Sequence, residues 1–249
     1  MRVAVHRSMI ASSAAIAALS LASAIPAVAA QHDSMSSTSD SQSSHNDSAS
    51  SAQDRVRDAT RLVQQMKQDP ALASVLQHAK GVFIVPHYGK GGFIVGGQGG
   101  GGIVLVKHEG SWSSPAFYII AGGSIGAQAG GEGGAIAMIL MTQKAVNRFE
   151  NSTRGWILNG TAGLTVVNWS GKTQASTAYN GRDDVILWTN TSGLYGGLTV
   201  GVKHLSPDTQ MDRAYYQRPA SSADILAGNV SSPNADALRN ALASRVASR

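Results

Sequence analysis

The stretch from Gly81 to Met141 constrains this chain more than any other. It reads Gly81-Val-Phe-Ile-Val-Pro86, then Gly91-Gly-Phe-Ile-Val-Gly-Gly97, then Gly99 to Gly102 followed by Ile103-Val-Leu-Val106. After Trp112 it resumes with Phe117-Tyr-Ile-Ile-Ala-Gly-Gly123 and a small-residue run to Gly134, and it closes on Ala135-Ile-Ala-Met-Ile-Leu-Met141. Short β-branched and aromatic runs broken by glycine are strand material, and glycine within them marks bulges or close backbone approach. A flexible Gly/Ser linker lacks the interleaved Val, Ile, Phe and Leu. Strands are expected at Val82–Val85, Phe93–Val95, Gly102–Lys107 and Pro115–Ala121, with turns at Tyr88–Gly92 and Lys107–Ser111. Ser124–Gly134 reads as a further strand. Ala135–Leu140 is apolar throughout, so it is expected to be buried on both sides.

Helical patterns flank this core. From Ala52 to Lys80, Val56, Ala59, Val63 and Met66 recur at three- and four-residue spacing while Arg55, Arg57, Arg61 and Lys67 take other faces. Asp69-Pro70 breaks the run and starts a second helix carrying Leu72, Val75, Leu76 and Ala79. The first helix reads either as a lid packed on the core or as a basic amphipathic helix lying on an anionic membrane. Thr142 is placed to cap a helix through Glu150, with Val146 and Phe149 inward and Lys144 and Arg148 outward. Strand runs follow at Leu158–Trp169, Val185–Trp188 and Gly193–Val202. Short helices are expected at Asp208–Tyr216, Ser222–Ala227 and Pro233–Val246, the last being the least defined. Strands that follow one another without long intervening helices indicate an antiparallel system. The expected fold class is therefore α+β: a Gly-rich, mainly antiparallel β-sheet core, sandwich or barrel-like, flanked by N- and C-terminal helices.

The two ends differ from the middle. Residues 1–30 carry Arg2 and Arg7, an apolar Ile10–Val28 run, and small residues at Ala27–Ala30, which reads as a signal peptide cut after Ala29 or Ala30. An uncleaved membrane anchor is the weaker alternative. Residues 31–52 are Ser-rich and polar, a disordered spacer by composition. The folded domain is set at 53–228 and a tail, helical in part, at 229–249. The chain has no cysteine, which excludes disulfides, thiolate metal sites and thiol nucleophiles. Of 20 Lys and Arg, loss of Arg2 and Arg7 leaves 18 against 15 acidic side chains, a balance of +3 that does not mark a nucleic-acid binder.

No catalytic motif emerges. Gly171-Lys-Thr173 ends like a phosphate-binding loop, but Val166 stands where the leading glycine belongs. Gly122-Gly-Ser-Ile-Gly126 lacks dinucleotide-loop spacing. Asp183 and Asp184, adjacent and thus on opposite faces of a strand, make a poor acid–base pair and read as a solvated turn. His78, His87, His108 and His204 show no metal-ligand spacing, the isolated His32 and His45 read as bland, and Ser124 is not in a nucleophile elbow. No enzyme, cofactor, metal, nucleotide or nucleic-acid role is expected.

The run Ala79-Lys-Gly-Val-Phe-Ile-Val-Pro86 resembles the opening motif of the SYLF family of lipid-binding domains. So do Gly91–Gly97, Gly101–Val106, Trp112 before Pro115-Ala-Phe-Tyr118, and Gly122–Gln128. Met141–Phe149 and Gly193–Leu198 continue the resemblance, which covers roughly Arg55 to Arg218. It implies a non-enzymatic domain that binds acidic phospholipids. In fungal and animal members it also implies work beside Src-homology-3 modules in membrane and actin remodelling. With the leader read as bacterial, the expectation becomes an exported protein of the periplasm, outer-membrane periphery or extracellular space that binds anionic lipid. An envelope protein binding a protein or glycan partner is the alternative. The candidate headgroup residues are Lys80, Lys90, Lys144, Arg148, Arg154 and Lys203, with Arg55, Arg57 and Arg61 from the first helix, and the free N–H groups after Thr142 offer a phosphate site.

Overall fold

The computed structural model describes residues 36–92, 95–125, 132–158, 164–169, 183–190 and 203–243. Residues 1–30, the expected strands at Phe93–Val95 and Ser124–Gly134 in part, and Gly193–Val202 lie outside them. In chain order come α1 (Ser36–Met66), α2 (Pro70–His78), β1 (Gly81–Gly92), β2 (Val95–His108), β3 (Ser111–Trp112), β4 (Ala116–Ile125) and β5 (Glu132–Leu140). Then follow α3 (Gln143–Glu150), β6 (Trp156–Leu158), β7 (Val166–Trp169), β8 (Val185–Thr189) and β9 (Lys203–Pro207). The chain closes with α4 (Thr209–Tyr216), α5 (Ser222–Leu226), a 3-10 turn at Pro233–Ala235, and α6 (Asp236–Ala243). The strands form one curled sheet in the order β6-β9-β4-β2-β1-β5-β8-β7, with β3 paired to β2. Every pairing is antiparallel except β7 with β8. The α+β class with a curled, mainly antiparallel core flanked by helices is thus observed.

Helices cover both faces of the sheet, which is why β5 is apolar at every position from Ala135 to Leu140. Along β5, Ala135, Ala137 and Ile139 join one core with α1, α2 and α6, while Ile136, Met138 and Leu140 join another with α3 and α5. Val82 and Ile84 against Phe83 and Val85 divide β1 in the same way. The residues Tyr88–Gly92, expected as a turn, instead prolong β1: Gly89 to Gly92 pair with Gly99 to Gly96 of β2, beyond a register shift after Ile84. Glycine tolerates turn and strand alike, and here β2 and β5 on either side supply the hydrogen-bond partners that decide.

α1 is a lid. Val56, Ala59, Val63 and Met66 are all buried in the first core, so its apolar stripe faces the sheet and not a membrane. The helix begins at Ser36, inside the stretch expected as disordered spacer, and Ala52 is its first deeply buried residue among those described. Near the other end Lys67 donates Nζ–H to the carbonyls of Ala241 and Leu242, the C-terminal end of α6. Leu238 and Leu242 of α6 are buried in the same core, so the region set apart as a tail packs on the sheet's helical cover. A third brace is Asp212 of α4. It is fully buried and accepts from the Phe117 amide at 2.9 Å and the Ser222 hydroxyl at 2.8 Å, tying α4 to β4 and α5.

Candidate functional site

The start of α3 is built as its residues require. Thr142 is extended and caps the helix, its Oγ1 accepting from the Ala145 amide at 3.3 Å. The same hydroxyl donates to Asp184 Oδ1 at 2.6 Å, and Asp184 Oδ2 accepts from Lys144 Nζ at 3.1 Å and the Thr165 amide at 3.0 Å. Burial raises the Asp184 carboxyl, but the bonds from Thr142, Thr165 and Lys144 outweigh it and hold it below the usual carboxylate range. Two expectations are corrected here. Asp183 and Asp184 are buried, not a solvated turn; Asp184 is drawn in by its bonds to Thr142, Lys144 and Thr165. The helix start expected to receive a phosphate has the chain's own Asp184 carboxylate beside it, bonded to Thr142 and Lys144.

Beyond that bracket, α3 and the chain that follows it enclose an open groove of about 680 Å3. It is lined by Lys144, Asn147, Arg148, Asn151, Ser152, Thr153, Arg154, Gly155 and Trp156. The turn back into β6 needs Gly155: its φ is +90°, and a Cβ there would stand 2.5 Å from the Leu205 carbonyl oxygen. Trp156 sets the far wall, its ring edge-on to Phe149 with centroids 5.2 Å apart. Trp156 Nε1 is buried without a hydrogen-bond partner among the described residues. Lys144, Arg148 and Arg154 therefore converge with amide and hydroxyl side chains along one groove, Lys144 while also held by Asp184.

None of the other candidates whose side chains are described joins them. Arg57 and Arg61 each pair with the aspartate three residues earlier, Asp54 and Asp58. Asp58 also meets His87 at 2.8 Å; burial raises its carboxyl, but those two partners win and lower it. Arg55 turns inward, with its Cζ 5.8 Å from the Phe117 ring centre and Nη1 3.8 Å from Asp208. Burial lowers its pKa, and Asp208 restores part of the loss. Its guanidinium lies where any side chain at Gly101 would have to go. Arg55 is thus a fastening of the lid and not a headgroup ligand. Lys203 is fully buried on β9 and is likewise corrected: it pairs in register with both Gly122 and Leu158, inside the sheet. Lys80 is exposed at the foot of β1 and is not among the residues that line the α3 groove. Lys90 pairs through its backbone with Gln98 and Glu132, and its side chain lies outside the described residues.

Sequence reasoning missed a second groove of about 810 Å3, where Ser48 of α1 faces α4 and the turn into α5. Arg213 and Arg218 stand in it. The available signal was an arginine on each side of Gln217, where the helix ends in a left-handed residue at φ +54°. Among the described residues no group of His, Asp and Glu could hold a metal ion. With no cysteine in the chain, there is neither a metal-centred nor a thiol-based active site on view. No described helix is long and apolar enough to cross a membrane.

A family described as Las17-binding protein actin regulator, Ysc84, matches residues 121–245, half of the chain. Protein YSC84 of Saccharomyces cerevisiae is 30% identical over 175 residues, 69% of this chain and 37% of its own length. LAS seventeen-binding protein 3 of the same species is 30% identical, covering 69% and 38%. SH3 domain-containing protein PJ696.02 of Schizosaccharomyces pombe is 27% identical over 177 residues, 70% and 41%. The chain thus spans about two fifths of the curated relatives it matches. No solved structure matches it. These relatives correct the assignment to a bacterial exported protein: they are yeast proteins, and their family is described by an action on actin, an intracellular polymer. The readings as a signal peptide, as a periplasmic, outer-membrane or extracellular protein, and as a binder of a cell-envelope partner are withdrawn with it. They rested on the composition of residues 1–30 alone, an Arg-flanked Ala-rich run outside the described residues that no packing contact could test. What the resemblance read from the central motifs had right is the family, and this chain belongs to the Ysc84, or SYLF, family.

Proposed function

We propose that the chain is a non-enzymatic docking domain of the lipid- and actin-regulatory kind, and that its α3 groove receives the phosphate headgroup of an anionic membrane lipid. One observation carries this reading: Lys144, Arg148 and Arg154 meet Asn147, Asn151, Ser152 and Thr153 along one groove. Cations supply attraction, and amides and hydroxyls supply donors to phosphate oxygens. Each basic side chain near an anionic surface contributes on the order of 1 kcal/mol, so Arg148 and Arg154, with Lys144 shared with Asp184, support weak, salt-sensitive docking. α1 has no part in it, since its apolar stripe is buried. The family's description as an actin regulator supports a role in bringing such regulators to a surface.

The test is flotation of the full chain with phosphatidylcholine vesicles against phosphatidylcholine–phosphatidylserine vesicles. Recovery is expected only with the anionic vesicles, falling as salt rises, and Arg148→Gln/Arg154→Gln should remove most of it. Equal recovery on both vesicle types, or full recovery by the double variant, would refute the headgroup reading.

A further inference from the structure

The groove beside α4 differs in kind from the one beside α3. Arg213 sits in the last turn of α4 and Arg218 just past its end, and both are exposed. Among the described residues neither lies within ion-pair distance of a carboxylate. Their positions are fixed from below. Asp208 caps α4 by accepting from the Met211 amide at 3.1 Å, and buried Asp212 ties the same helix to β4 and α5. Part of the lining is apolar, from Ala214, Pro219, Ala220 and Val230, and Asp224 also stands in it. A compact phosphate gains nothing from an apolar wall and is repelled by that carboxylate. A lipid headgroup brings the same phosphate and meets the same wall and carboxylate. An extended polypeptide fits both features: its carboxylates are spaced, its aliphatic carbon covers apolar wall, and its backbone can meet the polar groups of Thr209, Gln210 and Ser221.

We propose that this groove binds an extended acidic segment of a partner protein, whose carboxylates are held by Arg213 and Arg218. Guanidinium takes carboxylate through two parallel N–H···O bonds, which favours arginine over lysine at such a site. The proposal is independent of the headgroup reading, because among the described residues the two grooves share no lining residue.

The test is fluorescence anisotropy of the full chain with a labelled peptide of alternating Glu and Ala, beside Gln/Ala and Lys/Ala peptides of equal length. The acidic peptide alone is expected to bind, more weakly as salt rises. Arg213→Gln/Arg218→Gln should lower its affinity at least about tenfold, the loss of one to two charge-assisted contacts. Arg213→Lys/Arg218→Lys should fall between, and Arg148→Gln/Arg154→Gln should leave the affinity within about twofold. Circular dichroism melting of each variant separates lost binding from lost fold. Unchanged affinity in the Arg213→Gln/Arg218→Gln protein overturns the proposal. So does displacement of the peptide by inorganic phosphate beyond that by chloride at equal ionic strength, which would make this a small-anion site. Anionic vesicles that bind through Arg213 and Arg218 would overturn it in favour of a membrane.

Discussion

α1 and α3 look alike in the sequence and behave differently in the fold. Each has an apolar stripe and a basic outer side, and each stripe is buried: Val56, Ala59 and Val63 in α1, Val146 and Phe149 in α3. The difference lies in where the acids are. On α1, Asp54 and Asp58 stand three residues before Arg57 and Arg61, so the outer charge is neutralised within the helix. On α3 the balancing carboxylate of Lys144 comes from Asp184, at the mouth of β8, and Arg148 turns toward the groove it shares with Arg154. A run of basic residues becomes a usable surface where the fold gathers its side chains along one groove.

The largest effect that would test this comparison is on α1. Val63→Asp places an unpaired charge in the core and should cost on the order of 4 kcal/mol or more in urea denaturation. A helix that instead lay on a membrane would tolerate the change in free solution, and an unaltered denaturation midpoint would restore that view of α1. Next is the bracket on α3. Asp184→Asn should cost roughly 1–3 kcal/mol, leaving Lys144 without its anion and the cap with a weaker acceptor. Because the folded carboxyl titrates below its unfolded value, the wild-type contribution is complete above about pH 4 and is lost as the pH falls through the folded pKa. The variant should therefore show a flatter acid limb in denaturation midpoints measured between about pH 5 and pH 2. A limb of identical steepness would mean that Asp184 does not hold α3. The smallest effect is expected from Arg57→Gln and Arg61→Gln, exposed pairs whose loss should alter stability by less than about 0.5 kcal/mol and leave vesicle recovery unchanged. A loss of recovery there would erase the distinction between the two helices.

What could be read from the sequence was what neighbours settle among themselves. Asp69 and Thr142 cap because their acceptors reach amides two or three residues ahead. The unbroken apolarity of Ala135–Leu140 required cover on both faces, and the sheet has it. The expectations that failed depended on partners far along the chain. Tyr88–Gly92 extends β1 only because β5 and β2 lie beside it. Arg55 is drawn inward by Phe117 and Asp208, and Lys203 is enclosed by β4 and β6, none of which its own neighbours announce. Of nine basic candidates, composition could not distinguish the three that line one groove. Helical spacing singled out Lys144 and Arg148, and only the Gly155 turn brought Arg154 to them.

Asp212 makes the acid–base state of the domain's interior part of its folding. Burial, reinforced by the nearby charge of Asp208, lifts its carboxyl to about 7 despite the bonds from Phe117 and Ser222. An unfolded chain at neutral pH would release that proton, so folding there takes up part of a proton equivalent from the medium. The gain is greatest below about pH 4 and drains away as the solution is brought up through 7. A mildly acidic compartment would hold β4, α4 and α5 together more tightly than an alkaline one, with no ligand needed.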